Sequence, residues 1–334
     1  KKRTNISGLV YRENGNVIAN PPERIRDLNR LPLPDWRVFP RMKTYNMITS
    51  RGCPYTCVFC MRALGRTVRT RDLDQVMEEI RGVVRDVRPE RIIFHDETFT
   101  KNRDRVYALC RRLIAEGIHR KVKWKVATRV DTVDRELLRI MRQAGCDYIE
   151  FGVESGNEQI LQALKKGITT AQAGHAVNMA REAGYFVGCG FILGNPRETL
   201  TTALQTIDFA ARLNPDLIQL GIMVPYPGTE VRKLALRGEG GYRMISSDWR
   251  HYNKQVGNAL ELEALSRKDL ERVQLIGYVR LFLYKGRIFN SVKFVVAFRR
   301  EMISYFRNTL WRKQAQKGKT QISLLAAVKY ILKR

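Results

Sequence analysis

The sequence predicts an α/β protein built on a parallel sheet, and three observations predict it. Between Tyr45 and Tyr226, short apolar runs alternate with stretches whose apolar positions recur every three or four residues. Helix start and stop residues stand at the joins. The alternation repeats six times, and repeated β/α units give parallel strands joined by right-handed crossovers. An open doubly wound sheet and a barrel share this signal, and periodicity does not separate them.

The expected strands are Tyr45–Ser50, Arg91–His95, Trp124–Thr128, Tyr148–Val153, Phe186–Leu193 and Leu217–Val224. Between them lie helical stretches over Asp72–Val87, Arg103–Glu116, Asp134–Ala144, Ala171–Ala183 and Leu200–Leu213. In the first, Val76, Ile80, Val83, Val84 and Val87 make one apolar stripe. Asp134, Asn157 and Thr199 stand where N-caps belong, and Gly117, Gly145 and Gly184 where C-caps belong.

With 334 residues, 44% of them hydrophobic, the chain has material for a large core. Six cysteines are too few for a disulfide framework at this length. The charged start Lys1-Lys2-Arg3 has no apolar stretch behind it, and no uninterrupted apolar run reaches membrane-spanning length. Without an initiator Met, the chain reads as a fragment that opens mid-sequence. Net charge is +27, and from Ser266 onward 17 Lys/Arg face 3 Asp/Glu, so about half the excess lies in the last fifth. Such a patch attracts nucleic acid, anionic lipid or acidic substrates without choosing among them.

The most informative segment follows the first strand: Arg51-Gly52-Cys53-Pro54-Tyr55-Thr56-Cys57-Val58-Phe59-Cys60, a CxxxCxxC spacing. A structural zinc site closes with four ligands, and an ordinary 4Fe–4S cluster takes four cysteines. Three thiolates on a cubane leave one iron open to a small molecule. A half zinc site is the plainer reading, yet Cys110, Cys146 and Cys189 are scattered and supply no second pair. Four dispersed histidines, His95, His119, His175 and His251, make no further metal pattern.

The cysteine loop resembles that of the radical S-adenosylmethionine (radical SAM) enzymes. The resemblance implies a partial (β/α)6 TIM-like barrel, with the active site at the carboxyl ends of the strands. It implies a 4Fe–4S cluster on Cys53, Cys57 and Cys60, whose open iron chelates SAM. An electron from the cluster then cleaves the sulfonium to give a 5′-deoxyadenosyl radical, while the protein orients and shields it. Tyr55 and Phe59 would shield the cluster, and Arg62 and Arg66 would balance its charge.

The other strand ends carry the resemblance further. The second ends Phe94-His95-Asp96-Glu97-Thr98-Phe99. The family often has Gly-Gly-Glu at this point, and its cobalamin-linked branch an acidic pair, so Asp96 and Glu97 are expected on SAM's amino group. A solvated turn capping the next helix is the alternative. Arg129 is expected on SAM's carboxylate. In Gly152-Val153-Glu154-Ser155-Gly156, Gly152 allows close backbone approach, and Glu154 and Ser155 offer groups to ribose or methionine. Lys165-Lys166-Gly167-Ile168-Thr169 extends the match. Phe191 is expected beneath the adenine, and Tyr226, before Pro227-Gly228, at the rim.

Three regions are therefore expected: a connector over 1–43, the barrel over 44–236, and a basic, aromatic-rich helical extension over 237–334. The connector, ending Leu31-Pro32-Leu33-Pro34-Asp35-Trp36, resembles the linker that follows an N-terminal cobalamin-binding domain. The Asp-x-His-x-x-Gly loop of that domain is absent from these residues. The implied activity is radical SAM C-methylation of an unactivated carbon, with cobalamin as a further cofactor. A cyclase or oxidase on a tetrapyrrole or isoprenoid-like substrate uses the same parts. An RNA-modifying enzyme and a non-catalytic Fe–S scaffold are the remaining alternatives; neither extra upstream cysteines nor an RNA-binding β-barrel supports the former. Expected partners are a small, apolar substrate, an electron donor such as flavodoxin or ferredoxin, and an anionic membrane surface, with nucleic acid disfavoured. A low-potential cluster places the protein in the cytoplasm, peripheral to the inner membrane face.

Overall fold

The computed structural model describes residues 2–38, 42–255 and 257–283. Its central sheet has six strands: β1 (Thr44–Met47), β2 (Arg91–Phe94), β3 (Lys123–Thr128), β4 (Cys146–Glu154), β5 (Phe186–Leu193) and β6 (Leu217–Ile222). All neighbours are parallel, and their order across the sheet is their order in the chain. A doubly wound sheet reverses its order at a switch point. This one never reverses, so crossovers of one hand lay successive helices on one face. The result is the partial, TIM-like barrel, open between β1 and β6, that periodicity alone left undecided.

The helices are α1 (Leu73–Asp86), α2 (Arg103–Ala115), α3 (Arg135–Gln143), α4 (Glu158–Ala163), α5 (Thr170–Glu182), α6 (Leu200–Leu213), α7 (Glu230–Arg237) and α8 (Arg267–Leu283). Their ends are chemically specified. Asp134 accepts from Leu137 N, Asn157 from Ile160 N, and Thr199 opens α6 in a capping box with Thr202. Gly117, Gly145 and Gly184 adopt the left-handed φ expected after helices.

Alternation separates the two faces of the sheet. In β4, Ile149, Phe151 and Val153 are buried beneath the helices, whereas Tyr148, Glu150 and Gly152 line the inner face and stay partly exposed. That inner face is polar. Lys125 of β3 pairs with Glu150 at 2.7 Å, and its ammonium lies 4.0 Å over the Tyr148 ring.

The free edge of β6 is closed by α8. Gln274 Nε2 donates to Leu220 O at 2.7 Å, and the Tyr278 hydroxyl stands 3.1 Å from both Leu220 N and Leu220 O. Ile222 N donates to Lys254 O at 2.8 Å. Exposed strand edges invite pairing with other chains, and these contacts occupy this one. Gly277 permits the close pass, because a Cβ there would lie 2.8 Å from Leu220 Cδ2. The start of the basic extension thus packs on the barrel; the aromatic run from Tyr284 onward lies outside the described residues.

Several boundaries differ from expectation. β1 stops at Met47, and Ser50–Arg51 instead pairs antiparallel with Arg69–Thr70, pinning both ends of the cysteine loop. β6 stops at Ile222, ahead of the prolines at 225 and 227. Within the connector, Val10–Glu13 and Asn16–Ala19 form a hairpin. Its Asn14-Gly15 turn has positive φ at both residues, the geometry that favours this dipeptide. Among the described residues no helix is long and apolar enough to cross a membrane.

Candidate active site

The parallel strands deliver their carboxyl ends to one rim, where the functional residues gather. The cysteine loop leaves β1 and is clasped at several points. Gly52 has φ +103°, and a Cβ there would sit 2.2 Å from Thr67 O, so only glycine fits. Its N–H donates to Glu97 Oε2 at 2.6 Å. Cys53 N donates to Gly65 O, Val58 N to Leu164 O beyond α4, and Val231 N of α7 to Val58 O. Cys57 is buried, and Cys53 and Cys60 are half-buried. Thr98 Oγ1 lies 3.5 Å from Cys53 Sγ.

Asp96 turns inward, onto the start of the loop. It accepts from Thr49 N at 2.7 Å, Thr49 Oγ1 at 2.6 Å and Ser50 Oγ at 2.7 Å, and so anchors the entry to the loop. Ser155 is likewise spent: its fully buried hydroxyl meets Thr206 Oγ1 at 3.0 Å and accepts from Asn157 N at 3.2 Å. Phe191 points to the helix side and packs against Phe209 of α6, centroids 6.5 Å apart. The alternation of β5 leaves Gly190 and Ile192 on the inner face, so the Phe191 side chain does not lie beneath a ligand there. In this structure these three side chains face partners within the protein.

Beside the loop lies a buried cluster of charges. Arg129, 6% exposed, grips Asp131 through Nε at 2.8 Å and Nη2 at 2.9 Å. Nη2 also donates to Lys166 O at 2.7 Å, and Nη1 stands 3.9 Å from Cys57 Sγ. The guanidinium stacks 3.7 Å over the Tyr55 ring. Nε and Nη2 are thus taken up by Asp131 and Lys166 O, while Nη1 faces the cysteine loop. Lys166, 6% exposed, pairs with Glu154 at 2.8 Å and lies 5.9 Å over the Phe59 ring. Glu154 takes φ +73° where the register of β4 shifts, a strained conformation for a side chain of this size. At Gly152, a Cβ would lie 2.6 Å from Glu154 Oε1 and 3.0 Å from Lys166 Nζ. A larger residue there would press on both partners of the ion pair.

The electrostatics agree with the geometry. Burial pushes the Cys57 thiol up, while the charges of Lys166 and Arg129 pull it back. For Arg129, burial works against the charged form, but Asp131 outweighs it and raises the guanidinium further. Lys166 carried no assigned role in the sequence reading; its only signal was the Lys-Lys-Gly-Ile-Thr run.

On the opposite part of the rim, Tyr226 follows β6 and is half-buried. Its ring lies 6.0 Å from Tyr252, which lies 5.1 Å from the exposed Trp249. His95, after β2, meets Asn46 Oδ1 through Nε2 at 2.8 Å. Both side chains are exposed.

Among the described residues, no three His, Cys, Asp or Glu side chains gather as ligands of one metal ion. Three thiols on one clasped loop, flanked by two buried cations, suit a larger anionic thiolate-bound cluster.

Comparison with known proteins agrees. The family model of the Radical SAM superfamily matches residues 47–210. An uncharacterized methyltransferase of Pyrococcus horikoshii is 32% identical over 289 residues, covering 83% of this chain and 61% of that protein. The anaerobic magnesium-protoporphyrin IX monomethyl ester cyclase of Cereibacter sphaeroides is 31% identical over 300 residues, covering 85% and 47%. This chain thus spans about half to three fifths of these relatives' lengths. The cobalamin-dependent S-adenosylmethionine radical enzyme OxsB shares the fold, with TM-score 0.66 at 18% identity over 90% of this chain and 52% of that one. A clasped three-cysteine loop at the carboxyl edge of an unreversed six-stranded sheet, inside the matched segment, makes residues 47–210 a radical SAM domain and this chain a member of the radical SAM superfamily.

Proposed function

We propose that this chain is the catalytic barrel of a radical SAM enzyme that methylates an unactivated carbon. The observation that carries this reading is the cysteine loop, pinned by backbone bonds from Gly65, Leu164 and Val231 at the open end of the sheet. Cys53, Cys57 and Cys60 would hold a 4Fe–4S cluster. When bound, cluster and SAM supply an electron-driven cleavage that yields a 5′-deoxyadenosyl radical. Glu97, Glu154, the Gly152 backbone and Tyr226 border the loop and the inner face, and are the groups we assign to SAM. Asp96 and Ser155 hold that frame from behind, as their hydrogen bonds indicate.

The substrate would lie on the inner face, below the aromatic ladder of Tyr226, Tyr252 and Trp249. Those rings suit a small, largely apolar molecule. The two half-buried cysteines leave the loop approachable by a small electron carrier of the flavodoxin or ferredoxin class. The similarity to the uncharacterized methyltransferase of Pyrococcus horikoshii supports methylation. No residue of this chain is assigned to cobalamin, because the loop that holds it in the resembled branch is not among these residues. A reducing cytoplasm, with the basic extension facing the membrane, fits the charge distribution.

Anaerobic reconstitution with iron and sulfide, then incubation with SAM and dithionite, tests the reading. The expected product is 5′-deoxyadenosine, absent when Cys53, Cys57 or Cys60 is changed to Ala. Failure of a fully loaded protein to form it would overturn the proposal. Ring closure or oxidation of a similar substrate is a second reading, favoured by the 31% identity to the magnesium-protoporphyrin ester cyclase. Transfer of label from methyl-labelled SAM into the product separates the two, since only methylation carries the label over.

A further inference from the structure

The buried charges beside Cys57 do more than pack. We propose that Arg129 and Lys166 are positioning residues whose fixed positive charges raise the reduction potential of the cluster, with their paired carboxylates, Asp131 and Glu154, as the opposing charges that trim the effect. The inference rests on the three cysteines binding that cluster.

Four observations carry it. Arg129 Nη1 approaches Cys57 Sγ at 3.9 Å, while its remaining contacts, to Asp131, Lys166 O and the Tyr55 ring, fix the guanidinium in place. Lys166 and Arg129 are both almost wholly buried, so their fields are poorly screened by water. Burying an ammonium and a carboxylate is costly unless they are paired, and the 2.8 Å contact of Lys166 with Glu154 meets that condition. Finally, the pair is accommodated at a local cost: Glu154 holds a positive φ, and both partners crowd position 152, where the chain has glycine. A chain that needed only packing would fill this volume with apolar side chains at less cost.

Reduction adds a negative charge to the cluster, and hydrogen bonds or positive charge near its sulfurs favour the reduced form. Removing a cation should lower the potential, and removing a carboxylate should raise it. Each cation is paired with a carboxylate, but Arg129 presents Nη1 to Cys57 Sγ and holds Asp131 through Nε and Nη2, so at the sulfur the cations outweigh the carboxylates and ease electron delivery.

The test is EPR-monitored redox titration of the reconstituted full chain without SAM, at fixed pH. In Arg129→Gln and in Lys166→Met, the ratio of reduced to oxidised cluster at a set poise should fall about tenfold, the change expected from one partly offset charge. Arg129→Lys and Lys166→Arg should restore most of the ratio. Glu154→Gln should move it the opposite way. Loosened structure alone would lower iron content and shift all these variants in one direction. Equal potentials in all variants, or shifts of one sign for Lys166→Met and Glu154→Gln, would overturn the proposal. If Arg129 instead clamped SAM's carboxylate, Arg129→Gln would weaken SAM binding while leaving the SAM-free potential unmoved, which also overturns it. Loss of 5′-deoxyadenosine formation with no bound iron would instead count against cluster binding itself.

Discussion

Gly152, Glu154 and Lys166 show how much a single position can constrain. A methyl group at 152 would press on both partners of the buried pair. Gly152→Ala should destabilise the fold by about 1–3 kcal/mol, read as a lower denaturation midpoint at unchanged slope. A second residue-scale effect belongs to Glu198, wholly buried behind β5. Burial pushes its carboxyl up to about 7, although Asn195 and Gly194 donate to it and pull the other way. The folded state therefore binds this proton more tightly than the unfolded chain. Its contribution is complete below the ordinary carboxylate range and is lost as pH rises from about 4.5 to about 7. On the order of 3 kcal/mol is at stake. Stability measured across that interval should fall with pH in the wild type and fall less steeply in Glu198→Gln.

At the scale of elements, caps and edges decide where the barrel begins and ends. Thr199 opens α6 with a reciprocal cap, so Thr199→Ala should cost about 1 kcal/mol of stability by chemical denaturation. Helix α8 closes the edge of β6 with side chains rather than with another strand. Tyr278→Phe removes the hydroxyl that meets both Leu220 N and Leu220 O. About 1–2 kcal/mol should be lost, and the Leu220 amide should exchange faster with solvent. The helices were legible because their caps and apolar stripes are local. The shortened ends of β1 and β6 were not, since a ladder stops where its neighbour stops, a non-local fact. The Asn14-Gly15 hairpin carries a local signal too, since this dipeptide favours the tight turn inside an otherwise polar connector.

Across the whole molecule, charge is the dominant global property. A net +27, half of it beyond Ser266, should draw the protein to vesicles containing anionic lipid at low salt and release it as salt rises. Sedimentation with neutral and anionic vesicles checks this, and equal binding to both would refute an electrostatic attachment. The sequence by itself determined the β/α alternation, the three-cysteine spacing and the rim on which polar residues gather. Periodicity, caps and motif spacing are written along the chain, and parallel strands must send their ends to one side. Only the tertiary structure decided that the sheet never reverses, because strand order is a matter of pairing between distant segments. It alone also separated the rim residues by direction. Asp96, Ser155 and Arg129 spend their groups on partners 2 to 72 positions away, and Lys166 joins Glu154 across 12. Side-chain identity states which bonds are possible, and the packed fold selects which of them are made.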